Sequence, residues 1–231
     1  MTIAEKLQTI AEKQQAVYDK GFFHGEMNGL DRGIEQGKEQ YYQHFWDNIM
    51  ARGARTNFVY GFAQWDSSIF YPSYDIRPTG TAASMFQTMR GEPIDLKSRM
   101  EECGKVLDFS QVTNSNWIFG YSYFTHLPRL DFSKSTTLNG AFYGMTYLET
   151  IDEVVIKEDG TCDLSNAFDY DTALKHLKIT GTIGLNGLNL QWSTLLTRSS
   201  LCYILAALSN TTKELSITLP LAAVNREFET T

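Results

Sequence analysis

Apolar positions along the chain follow three different periods, and each period predicts a different element. In the first fifty residues Ile3, Leu7, Ile10, Gln14 and Val17 follow a 4-3-4-3 spacing, the a/d seam of a coiled coil. Phe23, Met27, Leu30 and Ile34 resume the alternation one residue out of phase, and Tyr41 keeps that second phase. The spacing predicts a long helix or a helix pair, either an oligomerising stalk or an amphipathic helix folded onto a domain. Gly21, Gly25, Gly29, Gly33 and Gly37 recur at every fourth residue. An interior glycine costs a helix about 1 kcal/mol relative to alanine. The stripe therefore implies close helix approach, as in small-xxx-small contacts, or else a hinge. Lys38 to Met50 again carries one apolar face of Tyr42, Phe45, Trp46 and Ile49, and Gly53 is placed to end that helix.

Beyond Arg55 the period falls to two. Phe58, Tyr60 and Phe62 alternate, and Ile69-Phe70-Tyr71 precedes Pro72, which predicts a short hairpin at the entry to the next region. From about residue 80 a much longer period takes over. Leu107-Asp108-Phe109-Ser110 returns as Leu130-Asp131-Phe132-Ser133, and Phe119 returns as Phe142, both at a step of 23. Leu138, Ala141 and Phe142 return as Leu164, Ala167 and Phe168 at a step of 26. Leu127-Pro128-Arg129-Leu130, Leu148-Glu149-Thr150-Ile151 and Leu174-Lys175-His176-Leu177 share an LxxL-like unit, and Met85-Phe86 opens the series.

Such steps fall inside the range of about 20–29 residues for leucine-rich repeats. One unit cannot bury its apolar face alone, so several stack. The pattern fades near Gly187. Thr197 or Ser199 is then placed to N-cap a helix over Ser200 to Leu208. Leu215, Ile217 and Leu219 alternate as a strand before Pro220, and a short helix fits Leu221 to Phe228. The expected fold is an α/β repeat: a long N-terminal helix, then a short leucine-rich-repeat solenoid with a helix-and-strand cap. The expected divisions are a helical stalk at 1–53, a β entry segment at 54–82, repeats at 83–187 and the cap at 188–231.

Composition narrows the function. With 42% hydrophobic and 13% aromatic residues the 231-residue chain can bury a substantial core. A net charge of -7 argues against a large nucleic-acid footprint, which needs a basic face. No run of eighteen apolar residues occurs, so membrane insertion is not expected. The start, MTIAEKLQTIAEKQQAVYDK, lacks the basic and apolar regions of a secretory signal, which implies a protein that starts in the cytoplasm. Cys103, Cys162 and Cys202 are widely spaced and form no CxxC pair, so reduced thiols are expected.

Catalytic and cofactor motifs find little support. His24, His44, His126 and His176 show no zinc-ligand spacing. Gly181, Gly184 and Gly187 follow neither a P-loop nor a dinucleotide pattern. There is no GxSxG elbow. Asp108 and Asp131 recur in register and suit Asx turns better than an acid pair. No enzyme activity, cofactor or metal is expected. The positive signal is aromatic: Trp117, Tyr121, Tyr123, Tyr143, Tyr147 and Tyr170 fall in the variable stretches between core positions. Such side chains are enriched at interaction hot spots, although some of these also suit the core.

The units LDFSQVTNSNWIF, THLPRLDFSKSTTLNGAF and ETIDEVVIKEDGTCDLSNAF resemble the BspA-like leucine-rich repeats of bacterial surface proteins. The glycine-punctuated YDKGFFHGEMNGLDRGIEQGKEQYYQHFWD ahead of them, and GTIGLNGLNLQWSTLLTRSSLCYILAALSN after them, resemble short proteins of phages and prophages of gut Firmicutes. After Val224 the chain is shorter than that family's usual ending, which implies an incomplete cap. The resemblance implies a virion-associated protein of a tail fibre, baseplate or receptor-binding assembly. Its expected partners are other virion proteins, a host-surface protein or glycan, and copies of itself as a dimer or trimer. A surface adhesin and an intracellular interaction module are the alternatives; the adhesin would need an export signal.

Overall fold

The computed structural model describes residues 61–229 other than 66, 68, 69, 73, 74 and 211–213, all within a unit that begins at Arg52. Parallel strand pairing organises them. Four strands, β2 (Ile94–Asp95), β4 (Phe124–Asp131), β5 (Thr150–Val155) and β6 (His176–Thr180), form one parallel sheet in that order. β1 (Gly80–Thr81) and β3 (Val112–Asn114) pair in a second parallel sheet. Parallel neighbours require the chain to travel back between strands, so each strand belongs to one turn of chain stacked on the next.

Register follows from which residues must be buried. Leu127 stands opposite Ile151, and Ile151 opposite Leu177; Leu130, Val154 and Ile179 make a second row. All six are buried. A shift of one residue would turn both rows out to solvent, which is why the pairing is specific.

The second boundary of the core is a column of phenylalanines. Phe62, Phe86, Phe119, Phe142 and Phe168 lie ring on ring at centroid separations of 5.1, 5.1, 5.8 and 5.0 Å, with interplanar angles of 25° or less. Phe70, Phe124 and Phe109 meet this column edge-on, and Phe132 stacks on Phe109 at 5.2 Å. Full burial of one such ring is worth about 1.5–3 kcal/mol, and favourable ring geometry adds about 0.5–1.5 kcal/mol.

Three short helices complete the domain. α1 (Leu96–Cys103) starts where the Asp95 carboxylate accepts the Ser98 N–H at 2.9 Å and the Ser98 hydroxyl at 2.8 Å. It ends at Gly104, which has a left-handed φ of 62° and donates to Glu101 and Met100 carbonyls. α2 (Arg198–Ala206) is capped by Thr197. The Ser200 hydroxyl in its first turn accepts from Leu177 N–H at 3.0 Å and donates to the Lys175 carbonyl at 3.2 Å, so this helix covers the open side of β6. In α3 (Leu221–Phe228), Arg226 donates to the Thr194 and Leu196 carbonyls.

These observations correct the expected fold. In place of a leucine-rich-repeat solenoid, the described residues form a small α/β domain with parallel sheets and three helices of eight or nine residues, and the long helix expected over 1–53 lies outside them. The stalk positions Ile3, Leu7, Ile10, Val17, Gly21, Gly25, Gly29, Gly33 and Gly37 lie outside the described residues. The long apolar period marks which side chains share a core. It says little about the backbone between them, which here is built of tight turns around phenylalanine rather than helix.

Two smaller expectations also change. Leu215, Ile217 and Leu219 form no strand; Thr218 alone bridges to Asn189, and Pro220, two residues further on, has no N–H to continue a ladder. Phe62 sits in a turn with its ring in the core, while Phe58 and Tyr60 lie outside the described residues.

Phe142 is clasped between Phe119 and Phe168 and fully buried. Phe142→Ala should lower the unfolding free energy by about 3–5 kcal/mol in urea titrations, the usual loss for a core aromatic.

Candidate functional site

Opposite the four-stranded sheet, each turn of chain passes through the same corner. It opens with a residue that folds its side chain onto the backbone two residues on. Thr81, Asn114, Thr137, Asp163 and Asn189 accept the N–H of Ala83, Asn116, Asn139, Ser165 and Gln191 respectively. Three overlapping i→i+3 turns follow, as in Ile118 N–H to Ser115, Gly120 N–H to Trp117 and Ser122 N–H to Phe119. The middle turn carries the core phenylalanine. The outer two need positive φ at their third residue, as type II turns do.

Those positive-φ positions recur in pairs four residues apart. They are Ser84 and Thr88, Trp117 and Tyr121, Gly140 and Gly144, then Asn166 and Tyr170, with φ between 56° and 68°. Backbone N–H groups there bond to the next turn: Trp117 to the Asn139 carbonyl at 3.0 Å, Tyr121 to Tyr143 at 2.8 Å, and Gly144 to Asp169 at 2.8 Å.

The side chains at these corners form a continuous aromatic strip. Trp117 lies 6.0 Å from Tyr121 and 5.0 Å from Tyr143; Tyr143 lies 5.2 Å from Tyr170; Tyr170 stacks on Trp192 at 4.8 Å. Tyr121, Tyr170 and Trp192 remain 37–44% exposed, while Trp117 and Tyr143 are half-buried. Desolvation, reinforced by the Tyr121 hydroxyl, pushes the Tyr143 phenol up to about 12, so it stays a neutral hydrogen-bonding group.

Glycine makes room for the rings. A Cβ on Gly140 would lie 2.7–3.0 Å from three atoms of the Trp117 indole, and one on Gly144 would lie 2.8 Å from the Tyr121 ring. Here glycine serves both the left-handed backbone and the close approach of a ring.

Four of the six aromatics singled out in the sequence therefore meet in one strip. Tyr123 and Tyr147 form a separate edge-to-face pair at 4.8 Å, with Arg90 5.9 Å from the Tyr123 ring. Trp192 extends the strip but was placed with the C-terminal cap on sequence grounds. Its signal is Asn189, three residues before it, the same offset that separates Asn114 from Trp117.

Beneath the strip, Asp171 is fully buried. One of its oxygens accepts the Met145 N–H at 2.9 Å. Its Oδ2 and the Oδ1 of nearby Asp169 are buried with no hydrogen-bond partner. Desolvation holds the Asp171 carboxyl well above the ordinary range, with the charge of Asp169 adding to the effect.

The outer face of the four-stranded sheet carries charge instead. Glu153 receives Arg129 at 2.9 Å, Lys178 at 2.7 Å and the Thr180 hydroxyl at 2.7 Å, and Lys178 and Thr180 foremost hold its pKa down. His126 stands between Asp152 at 2.7 Å and Asp95 at 3.5 Å, with Lys97 on Asp152 at 3.0 Å. Partial burial works against ionisation of Asp152, yet hydrogen bonds from His126 and Lys97 leave its pKa lowered.

Asp108 and Asp131 each accept the N–H two residues on, at 2.9 and 3.0 Å, which is Asx-turn geometry. Cys162 is a packed thiol pushed up to about 12 by burial. Among the described residues, no group of three or more His, Cys, Asp or Glu is placed to hold a metal ion. Nor is any helix there long and apolar enough to cross a membrane. Comparison with known proteins gives no match: no family model, curated protein or solved structure aligns significantly with the chain.

The raised pKa of Asp171 sets a pH dependence. The folded state holds this proton more tightly than the unfolded chain, where the carboxyl titrates near about 3.9. Its contribution to stability is therefore full below that value and is lost as pH rises towards the higher folded pKa. Asp171→Asn cannot ionise. Melting curves should show its stability relative to the parent rising from pH 4 upwards and then levelling off; a difference that is flat with pH would contradict the assignment.

Proposed function

We propose that the chain is a non-enzymatic recognition protein whose binding surface is the strip of Trp117, Tyr121, Tyr143, Tyr170 and Trp192. In line with the resemblance of its sequence units, we place it in a virion, at a tail fibre, baseplate or receptor-binding position. One observation carries the reading: three of the exposed or half-exposed rings, Trp117, Tyr121 and Tyr170, stand on left-handed backbone.

A residue other than glycine costs about 1–2 kcal/mol there, and bulky aromatics are among the least suited. Equivalent places show the unstrained solution, with Gly140 and Gly144 on the turn between and Asn166 on the same turn as Tyr170. Strained backbone clusters at functional sites, and exposed aromatic rings held on it support a surface kept for contact with something outside the molecule. Tyr and Trp also bury much area with little loss of side-chain freedom, which suits them to recognition.

The test separates contact from folding. Asparagine tolerates left-handed backbone, so the double variant Tyr121→Asn, Tyr170→Asn should unfold within about 1 kcal/mol of the parent. Fluorescently labelled full-length protein should adsorb to intact bacterial cells, and the double variant should adsorb roughly tenfold more weakly. Equal adsorption by the folded variant would remove the strip from the binding surface. A stability loss as large as that of a core phenylalanine would make the strip structural. A parent protein that adsorbs to no cells would count against the virion reading.

A further inference from the structure

The strip has a period, a charge and a chemistry, and together they narrow what it can hold. Successive turns place their rings 5.0, 5.2 and 4.8 Å apart, from Trp117 through Tyr143 and Tyr170 to Trp192. That spacing is imposed by parallel backbone pairing, at about 4.8 Å between strands. A surface that repeats by translation suits a ligand that does the same. A folded protein epitope has no such repeat. An extended β-linked sugar chain does, advancing by a comparable length with each pyranose.

Charge points the same way. The polar residues near the ring positions include Asn116, Asn139, Ser165, Asn166 and Gln191, and two carboxylates, Asp169 and the buried Asp171, flank Tyr170 in the sequence. The arginine and lysine contacts with aromatic rings involve Tyr71, Tyr123, Tyr203 and Phe228, none of which belongs to the strip. The charged groups of the sheet, such as Arg129, Glu153 and Lys178, pair with one another instead. Among the described residues no arginine or lysine is set over a ring of the strip, which disfavours a polyanion, whereas an uncharged ligand rich in hydroxyl groups meets amide donors and acceptors.

Ring geometry supplies the apolar half. Tyr143 is tilted by 46° against Trp117, 65° against Tyr121 and 57° against Tyr170. Tyr143 thus breaks the pile between two face-to-face pairs, Trp117 with Tyr121 at 19° and Tyr170 with Trp192 at 18°. Aromatic faces carry negative potential and favour the weakly positive C–H groups of a pyranose.

We infer that the strip binds a linear, uncharged glycan laid along the direction in which the turns of chain stack. This rests on the strip being the recognition surface. The full-length protein is titrated with cello-, laminari- and chito-oligosaccharides from disaccharide to hexasaccharide, followed by tryptophan emission, to which Trp117 and Trp192 contribute. Affinity for at least one series should rise by roughly tenfold or more with length and then level off. Trp192→Ala should lower the affinity for long members more than for short ones.

In parallel, adsorption is measured on cells treated with periodate, which cleaves sugar diols, or with protease. Loss of adsorption with periodate alone supports a glycan, even one outside these three series. Adsorption that survives periodate, is lost with protease and still depends on Tyr121 and Tyr170 overturns the glycan while keeping the strip. Length-independent binding, or preferential binding of a polyproline peptide, also overturns it. Absence of both oligosaccharide binding and cell adsorption overturns the glycan and the recognition reading together.

Discussion

Backbone hydrogen bonds between successive turns of chain are the constraint on which everything else rests. Buried N–H and C=O groups must be paired, and here each turn satisfies them with the next turn at two places. One is the parallel sheet through β4, β5 and β6; the other is the corner where Phe119 N–H reaches Ala141 and Phe142 N–H reaches Ala167. With both sides pinned, the separation between turns is fixed at a strand spacing. The phenylalanine column is a consequence: rings held about 5 Å apart by the backbone fall into stacking distance. The aromatic strip is the same consequence on the outside of the corner.

Buried serines complete the pairing where sheet gives way to corner. Ser115 and Ser135 meet hydroxyl to hydroxyl at 3.2 Å, Ser135 donates to the Thr137 carbonyl at 3.0 Å, and Ser122 donates to the Phe86 carbonyl. Each hydroxyl supplies a short-range bond where the main chain bends away from its neighbour. The charged ladder on the sheet face plays a lesser part. Its members are partly solvated, and exposed ion pairs contribute about 0–1 kcal/mol each. Burial of aromatic rings outweighs them.

The sequence made the recurrent core readable and left the backbone between core positions hidden. Phe119, Phe142 and Phe168 stood out because similar steps, of 23 and 26, separate residues of one type, and the structure stacks them. The helices over 198–206 and 221–228 were legible for local reasons: Thr197 caps one, and Pro220 precedes the other. The strand expected at Leu215–Leu219 failed because alternation reports one apolar face without guaranteeing a partner strand. Tyr121 and Tyr123 sit two residues apart and look alike in sequence, yet they join different clusters. Only the left-handed φ at Tyr121 separates them, and no side-chain property encodes it.

The contact between Trp117 and Gly140, and between Tyr121 and Gly144, has a meaning for how such a surface can change over time. A ring on one turn occupies the space where the next turn would carry its own side chain. Adjacent positions along the strip are therefore not independent sites. Exchanging Gly140 for a larger residue would evict the indole, and a new ring at position 144 would collide with Tyr121 unless that ring shrank. Variation in specificity should proceed by coupled exchanges between neighbouring turns, with large and small residues trading places. Lineages carrying this domain should then differ in which turns bear the rings, while the number of rings the surface can hold stays capped.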